Sequence, residues 1–137
     1  MAELKTIRSD MDIQASLHSL MTSADYPPLT HDRHHIAFEV QDGAVKASGY
    51  VKTPQTIAYL QNRLAMMPSV KEVDLTNLYD DESIRRESGK EIPYGVQVRV
   101  EYGTVILAGS LLEDVSVEDL VKRVALIPGV HRVITMF

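Results

Sequence analysis

His31, Asp32, His34 and His35 fall within one short segment, and imidazole and carboxylate are both ligand types that zinc and nickel accept. His31, Asp32 and His34 are the candidate metal set. Against it stands local geometry: His34 and His35 are adjacent where a strand begins, and successive strand side chains point to opposite faces, so the two do not converge on one ion. The segment reads as a solvated loop with incidental histidines, and no metal or other cofactor is expected. The sequence contains no nucleophile elbow, no glycine-rich phosphate loop and no histidine–carboxylate helix. No catalytic residue is assigned, and the expected protein is not an enzyme.

Two further sets of side chains invite a binding role. Tyr50, Tyr59, Tyr79, Tyr94 and Tyr102 each combine an apolar ring with a polar tip, as membrane-interface anchors do. They are dispersed along the chain and read as ordinary half-buried tyrosines. Arg85, Arg86 and Lys90 form the densest basic group, but Asp80, Asp81, Glu82, Glu87 and Glu91 surround them. Balanced charge of this kind marks a solvated helix face.

The elements that position these residues come from an internal repeat at an offset of 60 residues. Laid without a gap over 95–133, the segment 35–73 pairs Val40 with Val100, Gly43 with Gly103, Val45 with Val105, Gly49 with Gly109, Leu60 with Leu120, Pro68 with Pro128 and Val73 with Val133. Ile36, Phe38 and Val40 alternate with polar neighbours, as do Val96, Val98 and Val100, which predicts a half-buried strand in each copy. Gly43 and Gly103 suit the tight turn of a hairpin. The returning strands carry Gly49 and Gly109. Thr53 and Pro54 read as the cap and first residue of a helix whose stripe is Ile57, Leu60, Leu64 and Met67, repeated as Val117, Leu120, Val124 and Ile127. Pro68 and Pro128 stop these helices, and a third strand follows each.

A further helix precedes each copy. Ser9 and Asp12 suit a capping box ahead of Ile13, Leu17, Leu20 and Met21; in the second copy Asp80 or Asp81 is the cap and Gly89 the terminator. The expected fold is α+β: two tandem αββαβ units over 8–75 and 80–137, each a three-stranded mixed sheet with two helices on one face, joined across 76–80 with almost no linker. The expected cores are Ile36, Phe38, Val40, Val45, Val51, Ile57, Leu60, Leu64, Val70 and Val73, with their partners 60 residues later.

The run from Ile36 to Gly49 resembles the strand–glycine–strand–glycine signature of BON domains, and Pro68–Val73 and Pro128–Val133 resemble the family's closing proline-glycine-valine-x-x-valine element. The resemblance covers about residues 9–75 and 80–137. Ser69 departs from the pattern where Gly129 keeps it, which predicts a looser turn in the first copy. These motifs specify a fold, and the resemblance implies no catalytic residue. It implies a binding or assembly module, in a family associated with envelope proteins, phospholipid binding, secretin-type assemblies and, in one cytoplasmic lineage, potassium sensing.

Composition narrows the choice. Formal net charge is −5, with 7 basic and 9 acidic residues up to Leu75 and 7 and 10 after it. Neither half offers the basic face that phosphate neutralisation needs, so nucleic acid is not an expected partner, and no small-molecule substrate is expected either. The same charge weighs against anionic membrane, where each surface Lys or Arg contributes about 1 kcal/mol. There is no cysteine, no apolar run long enough to span a bilayer and no hydrophobic leader in the first ten residues, which together read as cytoplasmic. Three functions stay open: self-association or protein–protein contact, peripheral binding to anionic phospholipid, and sensing of a small cation such as potassium. A cation site built from backbone carbonyls would leave no residue signature.

The copies differ on the sheet face turned away from the helices. The first returning strand places Ala44, Lys46, Ser48, Tyr50 and Lys52 there, and the second places Thr104, Ile106, Ala108, Ser110 and Leu112. The last strand carries large apolar residues on both faces to Phe137. A sheet apolar on both faces is usually covered on both. Ile106, Leu112, Ile134, Met136 and Phe137 are therefore the expected interface, covered by the first copy or by a second subunit or partner protein.

Overall fold

The structure, a computed structural model, describes residues 2–137. Its helices are α1 (Ala2–Thr22), α2 (Pro27–Asp32), α3 (Pro54–Ala65), α4 (Asp81–Gly89) and α5 (Val117–Ala125). Its strands are β1 (Ile36–Gln41), β2 (Ala44–Val51), β3 (Glu72–Asp80), β4 (Val96–Glu101), β5 (Thr104–Gly109) and β6 (Arg132–Met136). They form two three-stranded sheets, ordered β1-β2-β3 and β4-β5-β6. In each, the first pair is antiparallel and the second parallel. The parallel pairs are joined by crossover helices, α3 in the first half and α5 in the second.

The repeat survives as register. Val40 faces Val45 and Val100 faces Val105, while Val45 faces Val73 and Val105 faces Val133. Beyond that point β3 takes in an extra residue, because Lys46 pairs with Asp74 but Ser48 pairs with Asn77. At this bulge Asp74 accepts bonds from the Thr76 amide and hydroxyl at 2.9 and 2.6 Å. An unpaired inserted residue bends a strand and raises its twist.

Each sheet has its own core. Ile13, Leu17, Leu20, Leu29, Val45, Val51, Leu60 and Leu64 are buried in the first. Val96, Val105, Leu107, Leu120, Val124 and Ile84 fill the second. Of the expected core, Val117 alone is exposed, at 40%; it is the first residue of α5, a turn before Leu120 carries the stripe under the sheet. Gly49 and Gly109 have φ of 119° and 112°, and a side chain on either would overlap the backbone oxygen of His35 or Gly95. They permit β1 and β4 to cross closely over the returning strands.

The helix boundaries differ from expectation in four places. The first helix begins at Ala2, so Ser9 and Asp12 lie inside it and cap nothing; the residues ahead of them are helix formers without glycine or proline. The expected loop around the histidines is mostly helical: Pro27 and Pro28 open α2, and a single 3-10 turn over Arg33–His35 leads into β1. Gly89 is the last residue of α4, which ends on Lys90 in an ordinary helical conformation. Residues 76–80 are strand, and Asp80, the last residue of β3, caps α4 by accepting a bond from the Ser83 amide at 2.7 Å. One residue thus ends the first unit and starts the second.

The turn at Ser69 is the looser of the two, as expected: the Val70 amide lies 3.4 Å from the Met67 carbonyl, against 3.1 Å from the Val130 amide to the Ile127 carbonyl. Ser69 has φ of 72° and keeps the left-handed conformation of Gly129, at 92°. The next contact closes to the same length in both copies, with Lys71 N–H on the Gly43 carbonyl and His131 N–H on the Gly103 carbonyl, each at 2.8 Å.

Candidate functional site

Both hairpin turns are held by a carboxylate on the preceding helix. Asp10 of α1 accepts the amides of Asp42 and Gly43, both at 2.9 Å. Asp81 of α4 accepts those of Tyr102 and Gly103 at 2.7 and 3.0 Å. Bonds from neutral donors to an ionised acceptor are about twice as strong as neutral ones, so each clamp fixes its helix to its hairpin. Burial raises the Asp81 carboxyl above its usual range although the two amide bonds pull it down.

The clamped turn of the second unit sits on the far end of the first. Tyr102 has φ of 47°, a left-handed conformation that is uncommon for a bulky residue. Its ring stacks on His35 at 3.4 Å between centroids and 7° between planes. The Lys52 ammonium lies 4.7 Å from the same centroid. Its hydroxyl donates to Asp32 at 2.8 Å, and the other oxygen of Asp32 accepts the Lys52 amide at 3.0 Å. Asp32 is 1% exposed. Burial first, then the bond to Asp32 and the negative charge of that residue, push the Tyr102 phenol far above its ordinary range.

Two glycines let the surfaces meet. A side chain at Gly103 would overlap the Tyr50 ring, and one at Gly129 would come within 2.7 Å of the Tyr79 ring. Tyr50 and Tyr79 are register partners on β2 and β3 and pack against the core of the second unit. The Tyr50 ring is 6.1 Å from Tyr79 and 6.5 Å from His131. Burial raises the Tyr50 phenol, with Tyr79 and Asp81 adding to the effect.

The expected metal set is therefore divided among other tasks. Asp32 has both oxygens engaged by protein donors, His35 is a stacking partner, and His31 and His34 are exposed. No group of three or more metal-ligating side chains is assembled among the described residues. The reading of the tyrosines as dispersed does not hold in three dimensions, since three of them gather at the junction. Tyr59 stacks on Tyr26 at 4.1 Å and Tyr94 is 93% exposed. The junction was visible in the sequence as departures from the repeat: Tyr50 against Ser110, Lys52 against Leu112, His35 against Gly95 and Tyr102 against Asp42.

The expected interface residues lie on the second unit. Ile106 and Ile134 are register partners and half-buried. Leu112, Met136 and Phe137 are exposed at 61%, 63% and 46%. The structural positions Pro68 and Pro128 follow the ends of α3 and α5. An open cleft of about 570 Å³ lies between the carboxy-terminal turns of α1 and α3, lined by Ser16, Ser19, Asp25, Arg63 and Met66 among others. No histidine stands among its lining residues to activate those hydroxyls. Among the described residues, no helix is long and apolar enough to cross a membrane.

No family model matches the chain, and no curated protein does. Solved structures do. The C-terminal domain of CdsD, the structural protein of the Type III secretion system of Chlamydia trachomatis, is similar with a TM-score of 0.71 and 16% identity, over 90% of this chain and 64% of that one. A second CdsD structure from the same organism is similar with a TM-score of 0.69 and 18% identity, over 93% of this chain and 61% of that one. The chain thus spans less than two thirds of either of these solved chains. At these identities what is shared is the fold.

Proposed function

We propose that this chain is a non-enzymatic assembly element of tandem BON type whose work is protein–protein contact. The observation that carries the reading is the junction itself. The hairpin end of one αββαβ unit is seated on the far end of another, and the corresponding far end of the second unit presents Leu112, Met136 and Phe137 to solvent. Exposed apolar side chains grouped beside half-buried Ile106 and Ile134 mark an interaction surface more than a random scatter would. The description of the similar CdsD proteins as structural components supports the same reading.

Light scattering on the wild type and on Ile106→Lys with Leu112→Lys tests it. The wild type is expected to associate with rising concentration. The double variant, which copies Lys46 and Lys52 of the first unit, should associate at least tenfold more weakly with an unchanged thermal midpoint, since burying one unpaired charge at a contact costs several kcal/mol. A wild type that is monomeric at every concentration overturns self-association.

A further inference from the structure

The free end of the first unit carries a feature that the docked end of the second does not. Asp81 is the first residue of α4, and the chain before it is strand β3 of the preceding unit. Asp10 does the same work on α1, but α1 begins at Ala2 and so runs on for two turns beyond the clamp. Before Asp10 those turns take the place in the chain that β3 takes before Asp81. Leu4 and Ile7 lie on them and Met11 directly follows the clamp; at i, i+3 and i+7 the three share one stripe. The stripe lies on the side of the helix opposite Ile13, Leu17 and Leu20, the residues that enter the core. It is 65%, 56% and 63% exposed.

The other end of the molecule offers the complement. Leu112, Met136 and Phe137 are the exposed apolar residues there, with Glu113 and Asp114 exposed beside them. On α1 exposed Arg8 flanks the stripe, and exposed Asp12 and Lys5 follow it round the helix. Apolar surface thus faces apolar surface, and Arg8 beside the stripe faces Glu113 and Asp114, if one molecule follows another in the order in which its own units follow each other. Resting on the assembly reading above, we infer that the occupant of the second unit's far end is the α1 amino-terminal stripe of a second copy of this chain, docked head to tail. Such a contact uses two different patches, so it repeats from copy to copy until a ring closes or a filament grows.

Mixing two variants by sedimentation velocity tests this. Ile7→Lys with Met11→Lys removes the stripe, and Leu112→Lys with Met136→Lys removes the opposite patch. All four residues are exposed, so both proteins should melt as the wild type does. Each variant alone is expected to be monomeric where the wild type associates. An equimolar mixture should form dimers and nothing larger, because each pair keeps one intact stripe and one intact patch. If the patch variant alone still dimerises, the contact is stripe on stripe; if the stripe variant alone does, it is patch on patch; either result overturns the head-to-tail order while leaving self-association standing. A mixture that stays monomeric overturns it too, and a monomeric wild type removes the assembly reading beneath it.

Discussion

At the free end of the first unit, Asp10 holds the Asp42–Gly43 turn, and Asp42, Ser69 and Lys71 are exposed. At the junction Asp81 holds the Tyr102–Gly103 turn with the same two amide bonds, but the residues in the equivalent places are Tyr102, Gly129 and His131. The backbone is the same in both. Residues 42 and 102 both have positive φ, at 53° and 47°, and so do 69 and 129. What changes is the side chain at each position that another unit touches. Ser69 is tolerated because nothing is seated on that turn, whereas a side chain at 129 meets the Tyr79 ring. The shared residues therefore build the unit, and the departures between copies mark where units meet.

The largest expected effect separates the two turn glycines. Both have φ near 80°, so alanine at either is strained by about 1–2 kcal/mol. At Gly43 the new methyl meets the flexible Lys71 side chain at 3.0 Å and the Ser69 carbonyl oxygen at 3.1 Å. At Gly103 it overlaps the Tyr50 ring, which is fixed between the two units, and overpacking of that kind adds about 1–3 kcal/mol. Chemical denaturation of Gly43→Ala and Gly103→Ala should show the larger loss for the second. Equal losses would mean that the junction yields as freely as an open turn.

Periodicity and repeat made most of the fold legible. The alternation in Ile36–Val40 and Val96–Val100, the glycines between strands and the two helical stripes were enough to place six strands and four of the five helices. What escaped were features set by contact between distant segments. α2 was hidden because Pro27-Pro28 reads as a loop until it is seen to open a helix. The start of α1 was hidden because Ser9 and Asp12 imitate a cap inside a helix that continues through them. The clamp was missed because Asp10 and Asp81 lie 71 positions apart rather than 60, outside the aligned repeat. The junction shows in the sequence only as departures from the repeat, because Asp32, His35, Lys52 and Tyr102 are remote in sequence and Asp32, beside three histidines, has the chemistry of a metal ligand as well as that of an acceptor for a tyrosine hydroxyl.

A smaller effect probes that acceptor. Tyr102→Phe keeps the stack on His35 and the approach of Lys52 but removes the donor to one oxygen of buried Asp32. A buried acceptor left without its donor costs about 1–3 kcal/mol. The loss should appear in the unfolding free energy of the whole chain and should be relieved in part by Asp32→Asn in the same background, where no carboxylate charge remains to be satisfied. If Tyr102→Phe is as stable as the wild type, the ring stack alone positions the second unit and the hydroxyl is incidental.

The smallest effect is a slope with pH at the Asp81 clamp. In the unfolded chain Asp81 titrates near its ordinary value of 3.8, and in the folded protein burial moves it upward. Between those two values the native state holds a proton that the unfolded state has released. The stabilising contribution of Asp81 protonation is therefore fully present below the unfolded value and is lost as pH rises through the folded one, above which the native state must hold a poorly solvated anion. Asp81→Asn has no such titration. Its single amide oxygen faces two N–H donors at every pH, so its clamp is weaker by a fixed amount. The difference in unfolding free energy between wild type and Asp81→Asn should grow in favour of the wild type as pH falls from 7 toward 4, measured by denaturant titration in matched buffers. A difference that shrinks on acidification would show that the bonds from the Tyr102 and Gly103 amides outweigh burial, and that the clamp holds a carboxylate stabilised in its charged form.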